Sequence, residues 1–285
     1  MENLTSKKMN KKSFPMTWDV AVMLLLFVLT QGVMGIMFQV FGFLAPEISP
    51  VDAVDIECYM AQQEAYARYT AIAHPLLFSV SIFVMWLYAR IRGGRKVIRI
   101  RHSASGFDPS ILLFGVLWLV ASQILLEPLL ELLPSSDGSG IGRGMWAAFT
   151  AIASAPIFEE LLCRGVLFEV LNKRWGVKVS ILISAVFFGL LHLDPANAIV
   201  AIVAGLILGT LYVRTSSLYA TIIIHAINNA IAFALISFGM EELSFEEMLG
   251  GGTLYYVVYA LAAVIFAGAS VEAWFKVLRN KAKLE

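Results

Sequence analysis

Long apolar runs, each closed by a short polar or glycine-rich connection, set what this chain can become. They recur from Trp18 almost to the end of its 285 residues. In hydrocarbon every backbone N–H and C=O must be paired within the protein, so an apolar run of about 20 residues reads as a membrane-spanning helix. Only 15% of the residues are charged and the mean hydropathy is +0.78, where a soluble domain carries about 25% charge. The formal net charge is zero, so nothing in the balance points to a nucleic-acid partner.

Eight spans are predicted, near 18–44, 70–88, 110–133, 145–171, 177–193, 198–213, 218–238 and 253–275. The first exceeds a core of about 30 Å and is expected to tilt, project, or bend near Gly32 or Gly35. It is also too long for a signal-peptide core of about 7–15 residues. A short interfacial helix is expected over the second half of the 45–69 loop. Lys and Arg alternate from connection to connection. The tail with Lys7, Lys8, Lys11 and Lys12, the loop from Arg90 to Arg101, the turn at Lys173 and Arg174, Arg214, and the tail from Lys276 are basic. The connections with Asp52 and Asp55, at 134–145, at 194–197 and with Glu241 and Glu242 are not. By the positive-inside rule both termini are cytoplasmic. The expected fold is all-α, a polytopic membrane protein of about eight helices, in the plasma membrane if the cell is prokaryotic. It divides into a basic tail with three spans (1–144), a core (145–235), and an outer loop, last span and basic tail (236–285), all within one membrane domain.

Inside the fourth span lies Phe158-Glu159-Glu160-Leu161-Leu162-Cys163-Arg164-Gly165. A charged side chain at mid-bilayer costs about 2.5–3.5 kcal/mol on insertion scales, so ionisable groups there are partnered and are functional by default. Glu160 and Arg164, at i and i+4, share a helix face and can pair. Glu159, rotated by about 100°, is left to face something else. Two further spans bring polar groups inward: Phe188 and His192 in the fifth, and His225 with Asn229, again at i and i+4, in the seventh.

Glu159-Glu160-x-x-x-Arg164, Phe188-x-x-x-His192 and His225-x-x-x-Asn229, in that order, resemble the three motifs of the CPBP intramembrane proteases (CAAX protease and bacteriocin-processing, or Abi). The resemblance covers about residues 145–235. It implies peptide-bond hydrolysis within the membrane, with Glu159 as general base and His192 as its partner in activating a water. His225 and Asn229 would stabilise the oxyanion. In a metal-dependent version, Glu159, His192 and His225 would hold zinc or another divalent ion; otherwise no cofactor is implied. The residue chemistry is compatible: amide hydrolysis needs an activated water and donors aimed at the developing oxyanion. Two histidines and a carboxylate are also a known zinc set with one position left open. The implied partners are a membrane-anchored peptide or protein substrate and the lipid bilayer, with no nucleic acid and the oligomeric state open.

Plainer readings compete at each position. Glu160–Arg164 reads best as a structural brace, and Phe188 as packing beneath the site. His225 and Asn229 can act as interhelical hydrogen-bond glue, worth about 0.6 kcal/mol on average. Asn228 ranks behind Asn229. Glu127 and Glu131 read as an interfacial pair, and His74-Pro75 as a helix irregularity. Cys163, a thiol in apolar surroundings, stays protonated and inert. Gly205-x-x-x-Gly209 offers a small-residue face for close helix packing. Two other function classes fit the same residues: a proton-coupled transporter, since Glu, Arg and His in spans also mark ion pathways, and a non-catalytic scaffold or immunity protein. No internal repeat supports the transporter.

Overall fold

The computed structural model describes residues 14–47, 56–94, 98–103, 108–133, 142–240 and 243–284. Several residues used for the topology lie outside them: the lysines of the N-terminal tail, Asp52 and Asp55, Arg95 and Lys96, the connection 134–141, Glu241 and Glu242. So do the side chains of the basic C-terminal tail beyond Lys276. Among the described residues the secondary structure is helical, apart from an isolated bridge between His102 and Ser217.

The helices are α1 (Thr17–Val40), α2 (Ile56–Gly93), α3 (Pro109–Leu130), α4 (Met145–Ala148), α5 (Ala155–Glu160), α6 (Glu169–Leu190), α7 (Pro195–Thr215), α8 (Leu218–Ser237), α9 (Phe245–Met248) and α10 (Gly252–Leu284). Two π-helical segments, Phe149–Ser154 and Leu161–Phe168, join α4, α5 and α6 into one rod. Gly176 ends that rod with φ 73° and ψ 176°, a backbone conformation essentially confined to glycine. The remainder of α6 then turns back. Asp108 and Asp194 start α3 and α7 as N-caps, each followed by a proline at the first helical position.

Among the described residues, six helices are long and apolar enough to cross a membrane: α1, most of α2, α3, α7, α8 and α10 as far as Lys276. The other two rods, 145–175 and 177–190, are where the fourth and fifth spans are expected, but they are not among these six. The first is broken by π geometry and carries charge, and the second ends at Leu190. α1 runs through Gly32 and Gly35 as continuous helix. One further expectation changes. The interfacial helix and the second span are a single helix of 38 residues, about 57 Å at 1.5 Å per residue, which outruns the hydrocarbon core. Its extension is rich in helix formers and carries the Arg68–Glu64 pair at 2.5 Å.

Charge decides which rod is innermost. α1 and α10 each bury only 17% of their most apolar stretch, and Leu25, Val28, Val33, Val257 and Val264 face outward. The rod with Glu159, Glu160 and Arg164 is instead walled in, with Leu162 through Leu171 all buried. α6 and α7 pack closely along the small-residue face: Gly205 lies against Ala185, Gly209 against Ile181, and Gly189 against Ile202 and the Ala198 carbonyl.

The basic residues that set topology also make contacts. Arg92 Nε and Tyr88 Oη both reach the buried Asp19 carboxylate, at 3.0 and 2.7 Å. Arg101 Nε and Tyr212 Oη converge on Glu169 Oε1, at 2.7 and 2.8 Å. Backbone bonds from Ser103 N to Ser216 O and from Leu218 N to Arg101 O pin the end of the basic loop to the α7–α8 turn.

Candidate active site

Arg164 pairs with Glu160. Its Nη1 donates to Glu160 Oε1 at 2.6 Å, and both side chains are fully buried. Its second nitrogen, Nη2, donates to the Gly205 carbonyl at 2.8 Å, and the guanidinium lies 5.0 Å from the centroid of the Phe188 ring. A buried arginine must spread its donors over several acceptors to offset its desolvation. A main-chain oxygen in the middle of α7 is one of them, where Gly205 has no side chain.

Glu159 makes no such pair and lies between two histidines. His74 Nε2 stands 3.9 Å from its Oε1, and His225 Nε2 stands 3.9 Å from its Oε2. His225 presents its other ring nitrogen, Nδ1, to Glu160 Oε1 at 3.4 Å. A proton on Nδ1 faces the Glu160 carboxylate favourably and leaves the Nε2 lone pair on the Glu159 side. Glu160 therefore braces both Arg164 and His225.

Phe188 ties the remaining groups together. Its ring meets His192 edge-on at 5.3 Å between centroids and His225 at 5.6 Å. His192 lies just beyond the end of α6, half-buried, with Nδ1 3.1 Å from the Phe188 carbonyl oxygen. It forms no hydrogen bond or ion pair with Glu159. α6 terminates at Leu190, two residues before His192.

Asn229 has a local reason to be where it is. In the first π segment, Ala155 N bonds to the Thr150 carbonyl five residues back. The next bond in that register would run from residue 156 to Ala151 O, but Pro156 has no N–H. Asn229 Nδ2 fills the gap, donating to Ala151 O at 2.9 Å. One N–H of its amide is thus engaged, and the amide retains a second. Asn228 turns away and accepts from Gln123 Nε2 at 2.7 Å, which ties α8 to α3. Glu127 accepts from the Phe245 amide at the start of α9, apart from these groups. Cys163 is buried.

His74, expected with Pro75 to mark a helix irregularity, lies beside Glu159 instead. It sits in α2, stacked on Phe78 at 4.3 Å, with Nδ1 3.0 Å from Ser154 Oγ. The signal was an imidazole inside an apolar run. Its neighbour Pro75 lies inside α2, which continues through it.

Glu159 and His225 both offer ligating atoms to one space, and the Glu160–His225 contact resembles the carboxylate support of a metal-bound histidine. Among the described residues, however, no group of three or more His, Cys, Asp or Glu side chains converges as a metal site.

Residues 142–231 match the Rce1-like family, described as type II CAAX prenyl endopeptidases. The resemblance read from the motifs is borne out over that segment. No curated protein and no solved structure matches the chain. With six membrane-length apolar helices and a match to a membrane-protease family, the protein is an integral, multi-pass membrane protein.

Proposed function

From the Rce1-like match over residues 142–231, we propose that this protein is an intramembrane endopeptidase that hydrolyses a peptide bond of a membrane-associated substrate. The observation that carries this reading is the unequal treatment of two adjacent glutamates. Glu160 is neutralised by Arg164, while Glu159, also buried, has a histidine nitrogen 3.9 Å from each oxygen and no cationic brace. A salt-bridged carboxylate is a poor base; the unbraced one is the candidate.

In this mechanism Glu159 takes a proton from a water as the water oxygen bonds to the scissile carbonyl carbon. It then delivers that proton to the departing amine nitrogen as the C–N bond breaks. His192 helps to orient the water. The oxyanion is met by the second N–H of Asn229 and by His225, which donates from Nε2 as the doubly protonated imidazolium, its Nδ1–H still facing Glu160. Phe188, Glu160 and Arg164 hold these groups in place. The substrate class is a lipid-anchored C-terminus or another membrane-tethered peptide. The remaining two rods complete eight crossings, with both termini cytoplasmic.

Cleavage in reconstituted liposomes tests this. Wild type and Glu159→Gln are compared on membrane-anchored peptides, including prenylated C-termini. The variant is expected to lose about 10²–10⁴-fold in rate. Equal cleavage by the variant would remove Glu159 from the chemistry. No cleavage by wild type across the set would favour the transport or scaffold reading. Reversible loss with a zinc chelator would assign a metal to Glu159, His192 and His225; retained cleavage would assign the reaction to the side chains alone.

A further inference from the structure

The residues matched to the protease family begin at 142, yet one side of Glu159 is covered by α2. His74 spans two contacts there. Its Nδ1 is 3.0 Å from Ser154 Oγ and its Nε2 is 3.9 Å from Glu159 Oε1. The ring is fixed from a third side by its stack on Phe78 and meets Phe158 edge-on at 6.4 Å. Ser154 is itself 2% exposed and stands on the π segment that carries Ala151.

A neutral imidazole in this position has two tautomers. With the Ser154 hydroxyl donating to Nδ1, the ring proton sits on Nε2 and its dipole points at the carboxylate. With the proton on Nδ1, the Nε2 lone pair would face the lone pairs of an ionised Glu159. The first arrangement is electrostatically favoured. A separation of 3.9 Å is beyond a direct hydrogen bond, but it admits a water touching both atoms, or closure by a small side-chain rotation.

We propose that His74, with its tautomer set by Ser154, is a positioning residue that orients Glu159 from α2, holding Oε1 so that Oε2 is presented to the His225 side. This rests on the reading of Glu159 as the general base. The N-terminal half of the chain then supplies part of the catalytic geometry.

The test uses full-length protein in liposomes, with folding checked by thermal melting. His74→Phe keeps the aromatic stack and removes both nitrogens; His74→Gln returns an N–H near the Nε2 position; Ser154→Ala releases the tautomer. kcat and KM are measured on a cleaved membrane-anchored peptide. In parallel, the Glu159 carboxyl band is isolated by infrared difference against Glu159→Gln. His74→Phe is expected to lower kcat by about 10²-fold with KM unchanged, the cost of a misplaced catalytic group, and to shift the band. His74→Gln is expected to restore most of both, and Ser154→Ala to fall between. A folded His74→Phe with wild-type kcat and an unmoved band would overturn the proposal, as would a His74→Gln no better than His74→Phe. If His74→Phe does not fold, His74→Gln and Ser154→Ala carry the same comparison against wild type: a band unmoved by Ser154→Ala overturns it. If wild type cleaves nothing, the band alone decides the orientation of Glu159, and the failure falls on the endopeptidase reading.

Discussion

Arg164 faces a choice between two adjacent carboxylates, and helix geometry makes it. Glu160, one turn back, lies on its face and accepts at 2.6 Å, whereas Glu159 points to His74 and His225. The two glutamates should therefore respond differently to the same substitution. Arg164→Ala or Glu160→Gln is expected to lower stability in detergent by about 3–5 kcal/mol, because each strands a fully buried charge. Glu159→Gln should leave the melting temperature near wild type while lowering cleavage about 10²–10⁴-fold. A thermal melt beside a cleavage assay separates the two. A Glu160→Gln protein as stable as wild type would show that the brace is not where the stability resides. Asn229→Ala would leave the Ala151 carbonyl without its donor. About 1–3 kcal/mol of destabilisation is expected on melting, in addition to any effect on rate.

At the scale of elements, the site depends on how closely α6 approaches α7. A Cβ on Gly205 would lie 2.9 Å from the Ala185 Cα, and one on Gly189 would lie 2.8 Å from the Ala198 carbonyl oxygen. Neither backbone atom can turn aside as a flexible side chain can. Gly205→Ala and Gly189→Ala are each expected to cost about 1–3 kcal/mol through forced separation of the helices. Both should also reduce cleavage, since α6 carries Phe188 and leads into His192. Gly176→Ala tests a different cause. Nothing lies within 4 Å of its Cβ position, but φ is +73°, so the cost of about 1–3 kcal/mol is strain rather than collision. Denaturant or thermal unfolding of the three variants, with cleavage of one peptide, distinguishes packing from hinge effects. A Gly176→Ala protein of wild-type stability would mean that the reversal after residue 175 can be made another way.

For the whole molecule, the proposed topology of eight crossings with cytoplasmic termini makes a labelling prediction. In intact cells, on a Cys58→Ser background, Asp137→Cys is expected to react with an impermeant maleimide, and a cysteine replacing Glu285 only after permeabilisation; the reverse pattern would invert the topology. Native Cys163, fully buried, should stay unlabelled until the protein unfolds. Much of this architecture was legible in the chain because lipid forces backbone pairing within each helix, so apolar length alone marks most spans. The motifs placed Glu159, Glu160, Arg164, His192, His225 and Asn229 on three segments that the fold does bring toward one ring, Phe188. His74 was illegible for the opposite reason. It lies 80 residues from Ser154, and no local periodicity encodes a contact between α2 and a π segment. The Asn229 bond to Ala151 likewise depends on a register shift at Pro156 that residue spacing does not reveal. That the chain is a helical membrane protein, and which polar side chains it must bury, follows from residue order alone, because the costs of exposing peptide groups and charges to hydrocarbon are local. Which histidine meets which oxygen of Glu159 follows from the fold, because it depends on how separate helices pack.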